Sequence, residues 1–539
     1  MKRIAYNHFN HWAFVIAALS FLALGLALQC PYINEFPAYI HAWAQADWYS
    51  IAVGYVDNGL DFFHPETMIY NKQYPGHWAV ASASTITSVD FPIHEYVVAL
   101  LMKVVGTTDP WVFRLWTLIV SFVGLFFLYK ACFELTDDWV KSLLVPCVAI
   151  TAPTYAYYFS GFLPAIPAFA VATIGLYCYI RYRNSDRLPF FHCAVAFLTL
   201  AMLMRTTFAI AFIATMAFEL LRVLKKESAL KGKIPSVAMA VLLYLAYFLW
   251  NAHLRGAHGS LFLNDLMPAK SMEECAIVFD NIRQRWLYSY FQLGQQRLIK
   301  LVVVVGLLCA LVRLVLLKYH KVPLHPRRLS VWWLCAIYLF GCACFAIAML
   351  HQFTDHDYYF IDSFFLPLLL LLMAGLAELP KINNYWVCLC AFALVVWLVQ
   401  PMYMEAHHSQ KNRRNADDTA LLCAQHFSGS DEFLDQAGVA PDAKILALFA
   451  YPQNTPFILM HRKGYSVMWH DYDIVHNAIH FDYDYIVIEN DAFRDNFEGH
   501  NDILQHLKPI SRNASITLCS YDVAHVNLSP DDFLQCPLP

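Results

Sequence analysis

Charge is scarce in this chain: 14% of its 539 residues are Asp, Glu, Lys or Arg, while 59% are hydrophobic. Soluble domains carry about a quarter charged residues, so the shortage excludes an ordinary soluble globule and points to a bilayer. Concentrated basic charge is missing too. The formal net charge is −4, which excludes a nucleic-acid binder built on basic patches. A secretory cleavage signature is also lacking. The apolar run from Phe14 to Leu28 is followed by Gln29-Cys30-Pro31 rather than a small-x-small site, so it reads as a retained first helix. Cysteine is plentiful, with 15 residues, but most sit inside apolar runs, where they act as small hydrophobes. The Cys-x-Cys pairs at 342/344 and 388/390 have no neighbouring His or acid to complete a metal set. Cys519 and Cys536 lie in polar sequence and would pair if that region met an oxidising compartment.

What is present in abundance is apolar sequence in span-length runs of about 17 to 25 residues. Turn and charge punctuation marks eleven: 12–29, 111–129, 142–160, 162–180, 189–204, 206–223, 235–251, 298–317, 331–350, 360–378 and 384–401. Cations alternate across them as the positive-inside rule requires. With the N-terminus inside, the cytosolic segments hold Lys2 and Arg3, Lys130 and Lys141, and Arg181, Arg183 and Arg187. They continue with Arg222, Lys225, Lys226, Lys231 and Lys233, then Lys318, Lys321, Arg327 and Arg328, and finally Lys381. The expected fold is a polytopic all-α membrane protein with about eleven transmembrane helices and a small C-terminal α/β extracytoplasmic domain. The membrane domain would be 1–401, with a long first outer loop at 30–110, and the external domain 402–539. In that tail, KILALFAY (444–451) and YDYIVIEN (483–490) read as strands.

Charges are almost absent from the middles of the expected spans and gather at their outer ends. Ion-coupled transporters keep acids or unwound helices near the midplane and show repeated halves; this chain shows neither. Chemistry at the outer interface suits a substrate with its tail in the bilayer and its head in water. Four clusters lie there. In HAWAQADWYSIA (41–52), a helix would place Trp43, Asp47 and Ile51 or Ser50 on one face. Asp47 is then either a general base raised in pKa by apolar surroundings or a surface acid, with Trp48 and Tyr49 as interfacial belt residues. In VDFPIHEY (89–96), Asp90 reads as a helix N-cap with Pro92 in the first turn, or as a second functional carboxylate. His94 and Glu95 follow on the same helix. In LMRTTF (203–208), Arg205 either snorkels or holds a lipid-linked phosphate. HQFTDHDYYFIDSFFLP (351–367) is too rich in His, Asp and Tyr for a plain connector. Phosphate or sugar contacts, a metal and a solvated loop are its three readings.

These residues carry a resemblance. Gln45-Ala46-Asp47 followed by Phe62-Phe63-His64-Pro65, then Asp90-Phe91-Pro92 leading into a helix, then His356-Asp357-Tyr358-Tyr359 before a late span, occur in an order similar to the GT-C glycosyltransferases. The closer likeness is to the bacterial branch related to protein O-mannosyltransferases and the lipid A aminoarabinose transferase, over roughly residues 10–400. Many relatives carry an Asp-Glu pair at the first-loop position, whereas here alanine precedes Asp47 and tryptophan follows it. The resemblance implies inverting, single-displacement transfer of a sugar from a polyprenyl-phosphate donor to a lipid, glycan or protein acceptor at the outer face. It implies Asp47 as general base, with Asp90 positioning acceptor or sugar. Arg205 and His356, Asp357, Tyr358 and Tyr359 would meet the donor phosphate and sugar. His64, His94 and Glu95 are candidate acceptor or loop contacts. No resident metal is assigned, and a divalent cation is left open as an assistant.

A transporter or flippase of lipid-linked glycans, a glycan polymerase or ligase, and a scaffold with a binding tail are the rival readings. The expected location is a bacterial inner membrane with the tail in the periplasm. The triplets Asn513-Ala514-Ser515 and Asn527-Leu528-Ser529 keep the endoplasmic reticulum as the alternative.

Overall fold

The computed structural model describes residues 2–539 apart from 73–80, 264, 321–325, 383, 469–471, 497–499, 523–529 and 536–539. In chain order the α-helices up to residue 412 begin with α1 (Lys2–Gln29), α2 (Ala42–Asp57), α3 (Ile93–Val105), α4 (Pro110–Thr136), α5 (Trp139–Ile150) and α6 (Pro153–Tyr158). Next come α7 (Ala165–Ser185), α8 (Leu188–Met204), α9 (Ala209–Leu224), α10 (Ile234–His258), α11 (Met272–Asn281) and α12 (Leu287–Tyr290). The last four are α13 (Leu293–His320), α14 (Pro326–Ala348), α15 (Leu366–Glu378) and α16 (Tyr385–Asn412). Among the described residues nine helices are long and apolar enough to cross a membrane, and α5 and α8 are shorter apolar helices. All eleven apolar runs are therefore helical, and the chain is an integral membrane protein.

Two compact units divide the chain. The first comprises 1–33, 114–247 and 265–412, and is a bundle of helices. Here one expectation fails: the run 142–160 is not a continuous span. Asp138 caps α5 by accepting from the Val140 and Lys141 amides, but Ala152 precedes Pro153 and is extended, at φ −68° and ψ 121°. A residue before proline is pushed out of the helical region, so the helix stops and α6 restarts it. The carbonyls released by this break are not orphaned. Gln292 Nε2 donates to Thr151 O at 2.8 Å, and Gln295 Nε2 to Val148 O at 3.0 Å. In an apolar layer such internal partners are obligatory.

The second unit comprises 34–113, 248–264 and 413–539. Its sheet has five strands: β1 (Ile445–Leu448), β2 (Gly464–Val467), β3 (Tyr485–Glu489), β4 (Leu507–Arg512) and β5 (Ile516–Tyr521). The spatial order is β2-β1-β3-β5-β4, with β1 parallel to β2 and β3, and β5 antiparallel to β3 and β4. The two strands read from sequence, β1 and β3, are the central parallel pair. They are buried along nearly their whole length, which is why they appear as continuous apolar runs. Cys519 is a free thiol buried in β5; Cys536 and the Asn527 triplet lie outside the described residues. Asn513 turns the β4–β5 hairpin, its Oδ1 accepting from the Ser515 and Ile516 amides at 2.8 Å each.

The loop between α2 and α3 joins this sheet. Ile69 pairs in parallel with Gly464 at the free edge of β2. The Gly464 amide donates to Met68 O at 3.1 Å, and Tyr70 N donates to Gly464 O at 2.8 Å. Asn71 doubles the link: its amide donates to Ser466 O at 2.8 Å while its Oδ1 accepts from Ser466 N at 3.0 Å. An exposed strand edge is a template for such an addition. Gly464 is required there, since a Cβ would stand 1.8 Å from Ile445 O.

Candidate active site

Asp47 sits mid-way along α2, and the helix is packed on nearly every side. Trp48 and Tyr49 are buried, Trp48 lying 4.6 Å from the Phe262 ring. They are core residues and not an interfacial belt, because α3 and the 248–264 segment cover α2. Gly54 lets the chain at Glu66 cross close by; a Cβ there would stand 2.1 Å from Glu66 O. Asp47 itself is 3% exposed, so it is no surface acid.

Its carboxylate is met by two amides from the tail. Gln453 Nε2 donates to Oδ1 at 3.0 Å and to Oδ2 at 3.1 Å, and Asn454 Nδ2 donates to Oδ1 at 2.7 Å. Asn454 is in turn oriented by Met68 N, which donates to its Oδ1 at 3.1 Å. Burial pushes the Asp47 carboxyl up to about 7, against the pull of the Gln453, Asn454 and Trp43 hydrogen bonds and the Lys72 charge. The desolvation cost outweighs the donors. The result is an acid poised near neutrality, as proton transfer demands.

Lys72 is buried as well. Its Nζ donates to Ile69 O at 3.2 Å and Thr85 O at 3.0 Å, and burial pushes it down to about 7. Beside it, Glu66 accepts from Lys463 Nζ at 2.6 Å and from Thr85 Oγ1 at 2.6 Å. Burial alone would raise Glu66, but these donors hold it below its usual value.

The second loop motif folds differently from its reading. Helix α3 starts at Ile93, and its N-cap position is Pro92, which offers no side-chain cap. Asp90 therefore stands two residues before the N-cap position, which Pro92 takes instead of entering the first turn. His94 and Glu95 are both buried on α3. Burial pushes His94 down to about 3, so it stays neutral. Burial, with the Asp90 charge adding to it, pushes Glu95 up to about 8, and it is mostly protonated at neutral pH. His64 is half-buried and paired with Asp61 at 2.8 Å, its ring 5.6 Å from Trp250.

In the helical unit Arg205 ends α8 in extended conformation. Its Nε and Nη2 both reach Asp362 Oδ2, at 2.8 and 2.7 Å, and the rings of Tyr358 and Tyr359 flank the guanidinium at 5.9 and 5.7 Å. Asp357 is fully buried and faces α6: it accepts from Tyr158 Oη at 2.8 Å and Thr154 Oγ1 at 3.2 Å. His356 stacks edge-on against Tyr358 at 5.5 Å. The segment therefore divides its labour: Asp357 anchors it, and the two tyrosines and Asp362 shape the setting of Arg205. No group of three or more His, Cys, Asp or Glu side chains converges among the described residues.

Residues that the sequence does not mark also stand at these sites. Asp362 lies within 351–367, where residue type alone does not set it apart from Asp355 and Asp357. Gln453 and Asn454 lie over 400 positions from Asp47. Their only local sign is polarity inside YPQNTP, next to a buried strand.

Two comparisons bear on these arrangements. The family described as dolichyl-phosphate-mannose-protein mannosyltransferase matches residues 90–250, a stretch that includes Asp90, Glu95 and Arg205. Among curated proteins none matches the chain by sequence. Among solved structures, ArnT from Cupriavidus metallidurans bound to undecaprenyl phosphate aligns at TM-score 0.53 and 12% identity, covering 93% of this chain and 97% of that one. The oligosaccharyltransferase AglB from Archaeoglobus fulgidus, in complex with an inhibitory peptide and a dolichol-phosphate, aligns at 0.51 and 12%, covering 96% and 75%. The arabinofuranosyltransferase AftD from Mycobacteria aligns at 0.50 and 11%, covering 96% of this chain and 40% of that much longer one. At such identities the likeness is one of fold. The fold is that of the GT-C glycosyltransferases, with which the order of the sequence motifs already agreed.

Proposed function

We propose that this integral membrane protein is a GT-C glycosyltransferase that takes its sugar from a lipid-linked donor. The finer reading is a polyprenyl-phosphate sugar as donor and a lipid, glycan or protein acceptor, used at the outer face of a bacterial inner membrane with the tail in the periplasm. The observation that carries it is Asp47: a buried, donor-supported carboxyl titrating near 7 on the interfacial-loop helix of a GT-C fold. Fold likeness to proteins bound to undecaprenyl phosphate and dolichol-phosphate supports the donor class.

In this reading the acceptor hydroxyl gives its proton to Asp47 as its oxygen bonds to the sugar's anomeric carbon. The bond from that carbon to the phosphate oxygen breaks, and polyprenyl phosphate leaves. Gln453 and Asn454 aim the base and withdraw part of its density, so one amide gives way when the acceptor hydroxyl arrives. Arg205 meets the charge growing on the leaving phosphate. Asp362 keeps it oriented in advance, and such preorganisation is the usual source of electrostatic catalysis. Asp90, His64, His94 and Glu95 are proposed as acceptor-side contacts, His94 neutral and Glu95 able to donate a proton.

The test is a transfer assay on purified protein in nanodiscs, with radiolabelled polyprenyl-phosphate sugars and membrane extract as acceptor. Asp47→Asn should lower transfer by about 10²–10⁴-fold, the worth of a positioned base, with its thermal midpoint retained. Equal transfer by both proteins would remove Asp47 from the chemistry. Movement of labelled lipid across the bilayer without transfer would favour the flippase reading.

A further inference from the structure

Arg183 lies in the last turn of α7, at the opposite end of the α7–α8 pair from Arg205. The 17 residues of α8 set the two about 25 Å apart along the bundle. Arg183 is 8% exposed, yet its side chain makes no hydrogen bond or ion pair with any described residue, and its Nε is buried without a partner. The Phe218 ring lies 5.3 Å from the guanidinium carbon.

No carboxylate among the described residues forms an ion pair with it. Glu219 and Glu227 lie within electrostatic reach, but Glu219 is committed to Lys233, Arg222, Ser228, Tyr179 and Tyr182. Glu134 pairs with Arg181, and Asp137 with Lys381. The undescribed stretches of this unit, 321–325 and 383, contain no Asp or Glu, nor does the chain around them from 317 to 330. Leaving a buried charge unmet costs several kcal/mol, and a span-end arginine normally avoids this by snorkelling to water. Arg183 instead lines a cavity of about 230 Å³ with Glu134, Asp137, Tyr179, Asn184 and Val331. One ordered water needs only ~10–15 Å³ by that measure, so there is room for a whole anionic group.

We propose that this cavity binds a phosphate-bearing headgroup, that of an anionic membrane phospholipid, through the Arg183 guanidinium. Its planar fork matches phosphate geometry, and basic pockets between spans are natural headgroup sites. The proposal is independent of the transfer chemistry, and its readout is binding.

The test uses the purified full chain in neutral detergent. Retention by native mass spectrometry and the thermal midpoint are measured with phosphatidylglycerol, with diacylglycerol, and with inorganic phosphate. Phosphatidylglycerol should be retained and raise the midpoint, while diacylglycerol should do neither. Arg183→Gln should weaken retention about tenfold or more, the weight of one charge-assisted bond, and Arg183→Lys should fall between. If inorganic phosphate alone gives the full shift, the ligand is free anion rather than lipid and the phosphate site stands. Equal retention by wild type and Arg183→Gln would overturn it, as would equal effects of phosphatidylglycerol and diacylglycerol. Should Arg183→Gln not fold, the lipid comparison on wild type and Arg183→Lys still decides.

Discussion

Arg205 and Arg183 are the same residue type at the two ends of one helix pair, and their surroundings are opposites. Arg205 has a buried carboxylate on two of its nitrogens and two tyrosine rings beside it. Arg183, more deeply buried, has one aromatic contact and a cavity. A charge taken out of water must be repaid by a partner or a ligand. The partner at Arg205 belongs to the protein and orients a group proposed to act; at Arg183 the described residues supply none, and a ligand is proposed for that place. Asp47 follows the Arg205 pattern with neutral donors: two amides support the carboxylate without cancelling its charge, so it retains a pKa near 7.

Between the two arginines, the larger effect should come from removing the supported one. Arg205→Gln should lower kcat by about 10²–10³-fold, the range for one electrostatic donor at a developing oxyanion. Arg183→Gln, in the same nanodisc assay, should leave transfer unchanged; similar losses in both would abolish the distinction. Next, Asp362→Ala takes from Arg205 the carboxylate that Arg183 lacks. Breaking a largely buried pair should cost about 3 kcal/mol, seen in the thermal midpoint along with a loss of transfer. Survival of both would mean Asp362 does not hold Arg205.

Asp47 makes a prediction about pH. Its carboxyl is raised from 3.8 to about 7, so transfer should climb as pH rises through about 7, and that limb should be missing in Asp47→Asn. The sign for stability is opposite. Between about pH 4 and 7 the folded protein holds a proton that the unfolded chain has lost, so the Asp47 contribution to stability falls as pH rises through that window. Gln453→Leu removes a donor that lowers the Asp47 pKa, so its limb should move to higher pH with the fold intact. An unmoved limb would make Gln453 structural only. This is the smallest of the expected effects and the most specific to the tail.

Much of the fold was legible because its causes are local. Apolar runs between charge clusters show where helices must be, since an unpaired backbone has no place in lipid. β1 and β3 were readable because strands buried on both faces are continuously apolar. The break in 142–160 was also written locally, in Thr151-Ala152-Pro153, but the length of the apolar run masked it. The Asp90 cap failed for a similar reason: Asp90-Phe91-Pro92 fits a cap by residue type, and only the backbone shows that the helix begins after the proline.

The sites were half legible. Asp47, Arg205 and the 356–359 segment stand out as polar residues in greasy surroundings. Their partners do not, because a pairing across 157 or 407 positions leaves no mark on either neighbourhood. By itself, then, the sequence determined the membrane habitat, the helical segments, the central strands and the residues on which chemistry could rest. Composition and periodicity act over a few residues, and burying apolar surface is non-directional. Only the tertiary structure decided that the α2–α3 loop completes the tail's sheet and that tail amides support Asp47. It alone decided that Asp362 orients Arg205 and that Arg183 is left facing a cavity. Hydrogen bonds and ion pairs are directional and short-ranged, so their partners are chosen by where the folded chain returns, not by what lies next to them along it.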